Sequence, residues 1–299
     1  MRRLKAIPLA VLAVFGVLLG ATAVSAAPLY ECTGGNIAPG DYGSVVVKGV
    51  CYVPSGVVNI HGNLTIAPGA LLDAVSPASG GPGTALPGTV NVTGSINVWA
   101  GAVLGLGCGP SVCNPPLGAT NDHVGGSITG HGALGLLVHS TTIGGSVSLL
   151  GGGGGRDVEG VPASNQCFAL PAPAPWSENP NLTGTPPYSD LEGNTIGGNV
   201  TAIGLESCWF GALRNVVHGN VFVAHNSMGD ADANEVVQNN ITGNIACFDN
   251  VVPIEYGDSG ATPNEVGGSA SGECGFDVLS DDPMLPPGVH QHISIHKKT

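Results

Sequence analysis

The sequence predicts an all-β solenoid with rungs of about twenty residues, and three observations carry that prediction. The first is a five-residue phrase, apolar–any–Gly–(Asn or Ser)–apolar. It reads Ile60-His61-Gly62-Asn63-Leu64, Val92-Thr93-Gly94-Ser95-Ile96, Val124-Gly125-Gly126-Ser127-Ile128 and Ile143-Gly144-Gly145-Ser146-Val147. It continues as Ile196-Gly197-Gly198-Asn199-Val200, Val217-His218-Gly219-Asn220-Val221, the variant Val237-Gln238-Asn239-Asn240-Ile241, and Val266-Gly267-Gly268-Ser269-Ala270. The third positions step by 32, 32, 19, 53, 21, 20 and 29 residues, so the short steps are single rungs and the long ones are rungs plus insertions. The second observation is alternation around each phrase, as in Ile60-His-Gly-Asn-Leu64-Thr-Ile66, with β-branched residues at period two, which means strands. The third is that no stretch sustains helical periodicity.

Aligned, the copies form columns. Ile60, Val92, Val124, Ile143, Ile196, Val217, Val237 and Val266 make one inward ladder, and Leu64, Ile96, Ile128, Val147, Val200, Val221, Ile241 and Ala270 make another. The glycine between them either bends the strand at a corner or admits a neighbouring backbone, and both readings stand at this point. Three residues after it comes an outward column of Thr65, Asn97, Thr129, Ser148, Thr201, Phe222, Thr242 and Ser271. A hydroxyl-rich stripe suits recognition of ice or carbohydrate, and threonine also simply suits a wet strand face. Phe222 and the uneven steps spoil the regularity that lattice matching needs. Residues 151–191, rich in Gly and Pro, account for the longest step and belong on the surface of the solenoid.

The repeated phrases and their rung length resemble the secreted right-handed parallel β-helix proteins of bacteria, over roughly residues 44 to 275. That resemblance is one of architecture. It implies a right-handed parallel β-helix, a fold shared by polysaccharide lyases, pectin-degrading hydrolases, adhesins and proteins without catalytic activity, so it does not choose among them.

At the N-terminus, Arg2, Arg3 and Lys5 precede an apolar run from Ile7 to Ala23 and the small-residue segment Val24-Ser25-Ala26. This is the pattern of a secretory signal peptide over residues 1–26, followed by one β-helix domain over 27–280 and a tail over 281–299. No later run is long enough to span a bilayer, so the expected locale is extracellular. Removing the signal takes three of eight basic residues and none of the 21 acidic ones, leaving a formal charge of −16. Nucleic acid and anionic membrane are therefore poor partners, and an extracellular carbohydrate or cell-surface component is the expected class.

All eight cysteines, Cys32, Cys51, Cys108, Cys113, Cys167, Cys208, Cys247 and Cys274, lie beyond the signal, which reads as disulfides. Cys32 and Cys51, 19 apart, are expected to stack one rung apart and bridge. Cys108 with Cys113 would close a small loop, leaving Cys167–Cys208 and Cys247–Cys274.

Candidate chemistry is thin. Asp230, Asp232 and Arg214 are the best constellation for the alternative reading, a carbohydrate-active enzyme of the β-helix class. The run Asp230-Ala-Asp232-Ala-Asn234-Glu235 also resembles the start of a calcium loop, with Asp230, Asp232 and Asn234 as candidate ligands. An EF-hand is excluded, because Glu235 stands where the turn needs glycine and Ile241 where a bidentate acid closes the site. A solvated turn between rungs is the simpler account. The reading as a whole is an exported, disulfide-stabilised scaffold with a structural or surface-interaction role, in which calcium is the one cofactor the sequence brings into question.

Overall fold

The computed structural model describes residues 28–75, 88–107, 122–154, 167, 173–179, 182, 185–230, 233–254 and 263–275. Within them the chain winds through three parallel sheets of ten, eight and nine strands, here A, B and C, with a further two-stranded pair. A rung visits C, then A, then B: Val57–Ile60, Leu64–Ile66 and Leu71–Ala74, after which Thr89–Val92 returns to C. The molecule is a parallel β-helix. Residues 1–26, expected from sequence to be a signal, lie outside the described residues, as do Asp232, Cys108, Cys113 and the tail.

The inward ladders form because stacking is the only way each rung can bury its apolar side chains. In sheet C the column runs Ile60, Val92, Val124, Ile143, Ile196, Val217, Ile241, Val266, all buried. In sheet A it runs Leu64, Ile96, Ile128, Val147, Val200, Val221, Ile245, Ala270. Each buried branched residue contributes about 1.5–3 kcal/mol. One rung departs from the expected register. Its phrase is Ile241-Thr242-Gly243-Asn244-Ile245, and Val237 instead lies in sheet B, paired with Leu213. The outward column shifts with it, so Ala246, not Thr242, follows Phe222.

The Gly-(Asn/Ser) pair is a corner device. The amide of each Asn or Ser donates to the side-chain oxygen of its counterpart one rung earlier. Ser95 donates to Asn63 Oδ1 at 2.9 Å, Asn220 to Asn199 Oδ1 at 2.8 Å, and Asn244 to Asn220 Oδ1 at 2.9 Å. The side chain therefore folds over the glycine before its successor. A Cβ on Gly94 would lie 2.2 Å from Asn63 Oδ1 and 2.6 Å from Gly62 O. Close approach of a neighbouring rung, and not strand bending, is what demands the glycine.

A second ladder lines the corner from B to C and is buried. Asn194, Asn215 and Asn239 donate their amides to the Oδ1 of the next rung's Asn at 2.9–3.0 Å. Their Nδ2 groups donate to the carbonyls of Val138, Leu191 and Ala212 at 2.7–2.8 Å. Asp122 and Thr141 hold the same backbone position in earlier rungs, accepting the amides of Thr142 and Thr195. A third, shorter ladder joins Asn226, Asn250 and Glu273.

Among the described residues three disulfides are present: Cys32–Cys51, Cys167–Cys208 and Cys247–Cys274. The first is not a stack of equivalent positions. Cys32 pairs in register with Val47 in sheet A and Cys51 with Leu72 in sheet B, so the bridge spans the interior between two walls at the first rungs. Its 19-residue spacing coincides with a rung only by number, because the first rung is short and Tyr30 already pairs with Val45.

The insertion, in its described residues, packs against the outer side of sheet B. Its expected range, 151–191, overlaps the strand Tyr188–Glu192, which belongs to sheet B. Cys167 ties the segment to Cys208, and Trp176 and Leu182 pack with Leu71, Val103, Leu134 and Leu137 on the outer side of that sheet. Gly135 makes this possible, since a Cβ there would meet the Trp176 ring at 2.6 Å. Asn179 adds a hydrogen bond to Asp73 Oδ2 at 3.0 Å.

Candidate functional site

The two outer faces that matter are opposites. Sheet B's is covered, as above. Sheet A's carries two parallel columns of half-buried and exposed side chains. Thr65, Asn97, Thr129, Ser148 and Thr201 run in register across five rungs, all half-buried, and continue as Phe222. Two residues further along each strand, Trp99 stacks on His131 with ring centroids 5.0 Å apart. His131 is in register with Leu150, and Leu150 with Ile203. Trp99 is 43% exposed, Leu150 39% and Phe248 41%, in contrast to the buried branched residues of the opposite strand side. Period-two alternation forces this division: residues that face the interior are apolar, so the next ones must face water. The result is a flat strip of hydroxyl and amide groups beside an aromatic and aliphatic edge. Such a strip offers hydrogen bonds and a stacking surface to one extended ligand.

The covered face holds charge. On the strand Tyr188–Glu192, Asp190 and Glu192 alternate with the interior residue Leu191, and one rung earlier His139 is in register with Glu192. His139 Nε2 lies 3.0 Å from Asp190 Oδ2, and the Arg214 guanidinium forms an ion pair with Glu192 Oε1. Arg214 also donates to Gln238 Oε1 at 3.0 Å. His139, Asp190 and Glu192 are each buried beyond nine-tenths. The ligand atoms of these three side chains lie within 4.8 Å of one another.

Of the residues singled out from sequence, Arg214 is therefore on the surface, held by Glu192 and Gln238. Asp230 is half-buried in the turn after Ser227–Met228, and its amide donates to Cys208 O at 3.2 Å. Asn234 is fully buried at the register position of Phe210, an interior column, with Nδ2 on Val252 O at 3.0 Å. The His139, Asp190 and Glu192 group was not anticipated. The signal existed: the 53-residue step carries His139 onto Glu192, but the range assigned to the insertion swallowed the strand that bears it.

No family model, curated protein or solved structure matches the chain.

Proposed function

We propose that the chain is an exported, disulfide-stapled β-helix that presents the outer face of sheet A to an extracellular carbohydrate or other cell-surface component, and that its role is binding and not catalysis. The observation that carries this reading is the unbroken polar column from Thr65 to Thr201 beside the exposed Trp99 ring. Sugars combine apolar C–H faces with hydroxyl edges, so an aromatic beside aligned hydroxyl and amide groups suits them. Three disulfides support export, and among the described residues no helix is long and apolar enough to cross a membrane. The enzyme alternative has less to stand on, because Arg214 is committed to Glu192 and Gln238.

A glycan array screened with and without calcium tests the reading. Binding of a defined glycan class is expected, and Trp99→Ala is expected to weaken it by about tenfold or more while leaving Tm unchanged. Binding that survives Trp99→Ala and also Thr129→Lys would place the interaction on another face and overturn the assignment. Turnover of a bound glycan by the wild type would favour the enzyme.

A further inference from the structure

We propose that His139, Asp190 and Glu192 form a structural site for one divalent transition-metal ion of the zinc class, clamping the two rungs on either side of the insertion. This inference does not depend on the role of sheet A. The three side chains come from adjacent strands, Gly135–His139 and Tyr188–Glu192, which are paired in register although 53 residues separate His139 from Glu192. A ligand sphere with bonds of about 2.1 Å sets neighbouring ligand atoms about 3 to 4 Å apart. The observed Nε2–Oδ2 spacing of 3.0 Å meets that, and the ligand atoms of all three side chains lie within 4.8 Å of one another.

Two independent features point to a cation. His139 Nδ1 and Asp190 Oδ1 are buried without a hydrogen-bond partner, so both side chains carry polar capacity that the fold leaves unsatisfied. Among the described residues its charge is also unbalanced: two carboxylates face one fixed cation, Arg214, which engages one oxygen of Glu192. Burying an unbalanced carboxylate is costly, and a bound cation would offset that cost. Imidazole with two carboxylates is a donor set for zinc, manganese or ferrous ions and not for calcium, which takes oxygen ligands. The physical role follows from position. The insertion interrupts the chain between these rungs, and a metal link across a long closed segment removes more unfolded-state entropy than one across a single turn.

The test is the metal content of the full-length exported protein, followed by zinc titration of the EDTA-treated material. About one zinc per chain is expected, with a Tm that EDTA lowers and zinc restores. His139→Gln and Asp190→Asn, close in volume to the native residues, should each lower zinc affinity by about tenfold or more and make Tm insensitive to EDTA. Cobalt provides a check that does not depend on stability, since its visible bands should appear in the wild type and vanish in His139→Gln. Absence of zinc binding, or zinc binding undiminished in both variants, would overturn the proposal. So would stabilisation by calcium alone, which would transfer the balancing role to oxygen ligands elsewhere.

Discussion

Replacing Asn215 with alanine is expected to destabilise the protein by roughly 4 kcal/mol, whereas the same change at Asn220 should cost about 1 kcal/mol or less. Both residues belong to asparagine ladders, and only their surroundings differ. Asn215 is 1% exposed. Its Oδ1 accepts from the amide and the Nδ2 of Asn194, each at 3.0 Å, and its Nδ2 donates to Leu191 O and to Asn239 Oδ1 at 2.7 and 3.0 Å. Truncation leaves the Leu191 carbonyl and the Asn194 amide buried with a partner gone, and each such group costs about 1–3 kcal/mol. Around the exposed Asn220, water takes over the lost bonds. Urea unfolding of the two variants under oxidising conditions measures the difference. Equal losses would mean that the buried ladder does not hold the corner from B to C.

Asp122 should make stability fall as pH rises, and Asp122→Asn should abolish that fall. Burial pushes its carboxyl up to about 7, against the lowering effect of hydrogen bonds from the Val90 and Gly107 amides, and Oδ2 is buried without a partner. The folded state thus binds a proton that the unfolded state releases near its ordinary value, so the stabilisation is complete below about pH 4. It is then lost progressively up to about pH 7, where the folded carboxyl finally ionises. A displacement of about three pH units corresponds to roughly 4 kcal/mol. Asparagine, the residue that occupies this corner at 194, 215 and 239, keeps an acceptor and adds donors. Subtracting the variant's profile of Tm against pH from that of the wild type isolates this group. Parallel profiles, or a variant less stable at pH 8, would show that Asp122 is not buried in the charged form.

The scaffold was legible because it is written in a repeating phrase, and the sites were not because they arise where rungs differ. The columns around Ile60, Leu64 and Val217 follow from alternation, since a one-residue slip would turn every apolar side chain outward. The single register error arose because Val237-Gln-Asn239-Asn-Ile241 mimics the phrase. Its Asn239 belongs to the buried ladder, which lies a few residues ahead of the exposed one in every late rung. Pairwise spacing also found three of the four expected cysteine pairs, Cys108 and Cys113 lying outside the described residues, although the geometry of Cys32–Cys51 depends on a short first rung that the phrase does not reach. The covered face of sheet B was hidden for another reason. Proline- and glycine-rich sequence reads as surface loop, and Trp176 finding a flat bed on Gly135 is a tertiary fit with no local signature. For the same reason Asp190 and Glu192 read as loop carboxylates until Leu191 between them is seen to face the core.

Disulfides staple the described rungs of this β-helix near both ends and tie the insertion to sheet B. Peptide mapping of the unreduced protein, prepared under oxidising conditions, by mass spectrometry reads these links one by one. The account predicts three cross-linked pairs, Cys32 with Cys51, Cys167 with Cys208, and Cys247 with Cys274, with no free thiol on any of the six. Free thiols at these positions in material prepared under oxidising conditions, or Cys167 joined to any partner but Cys208, would contradict it.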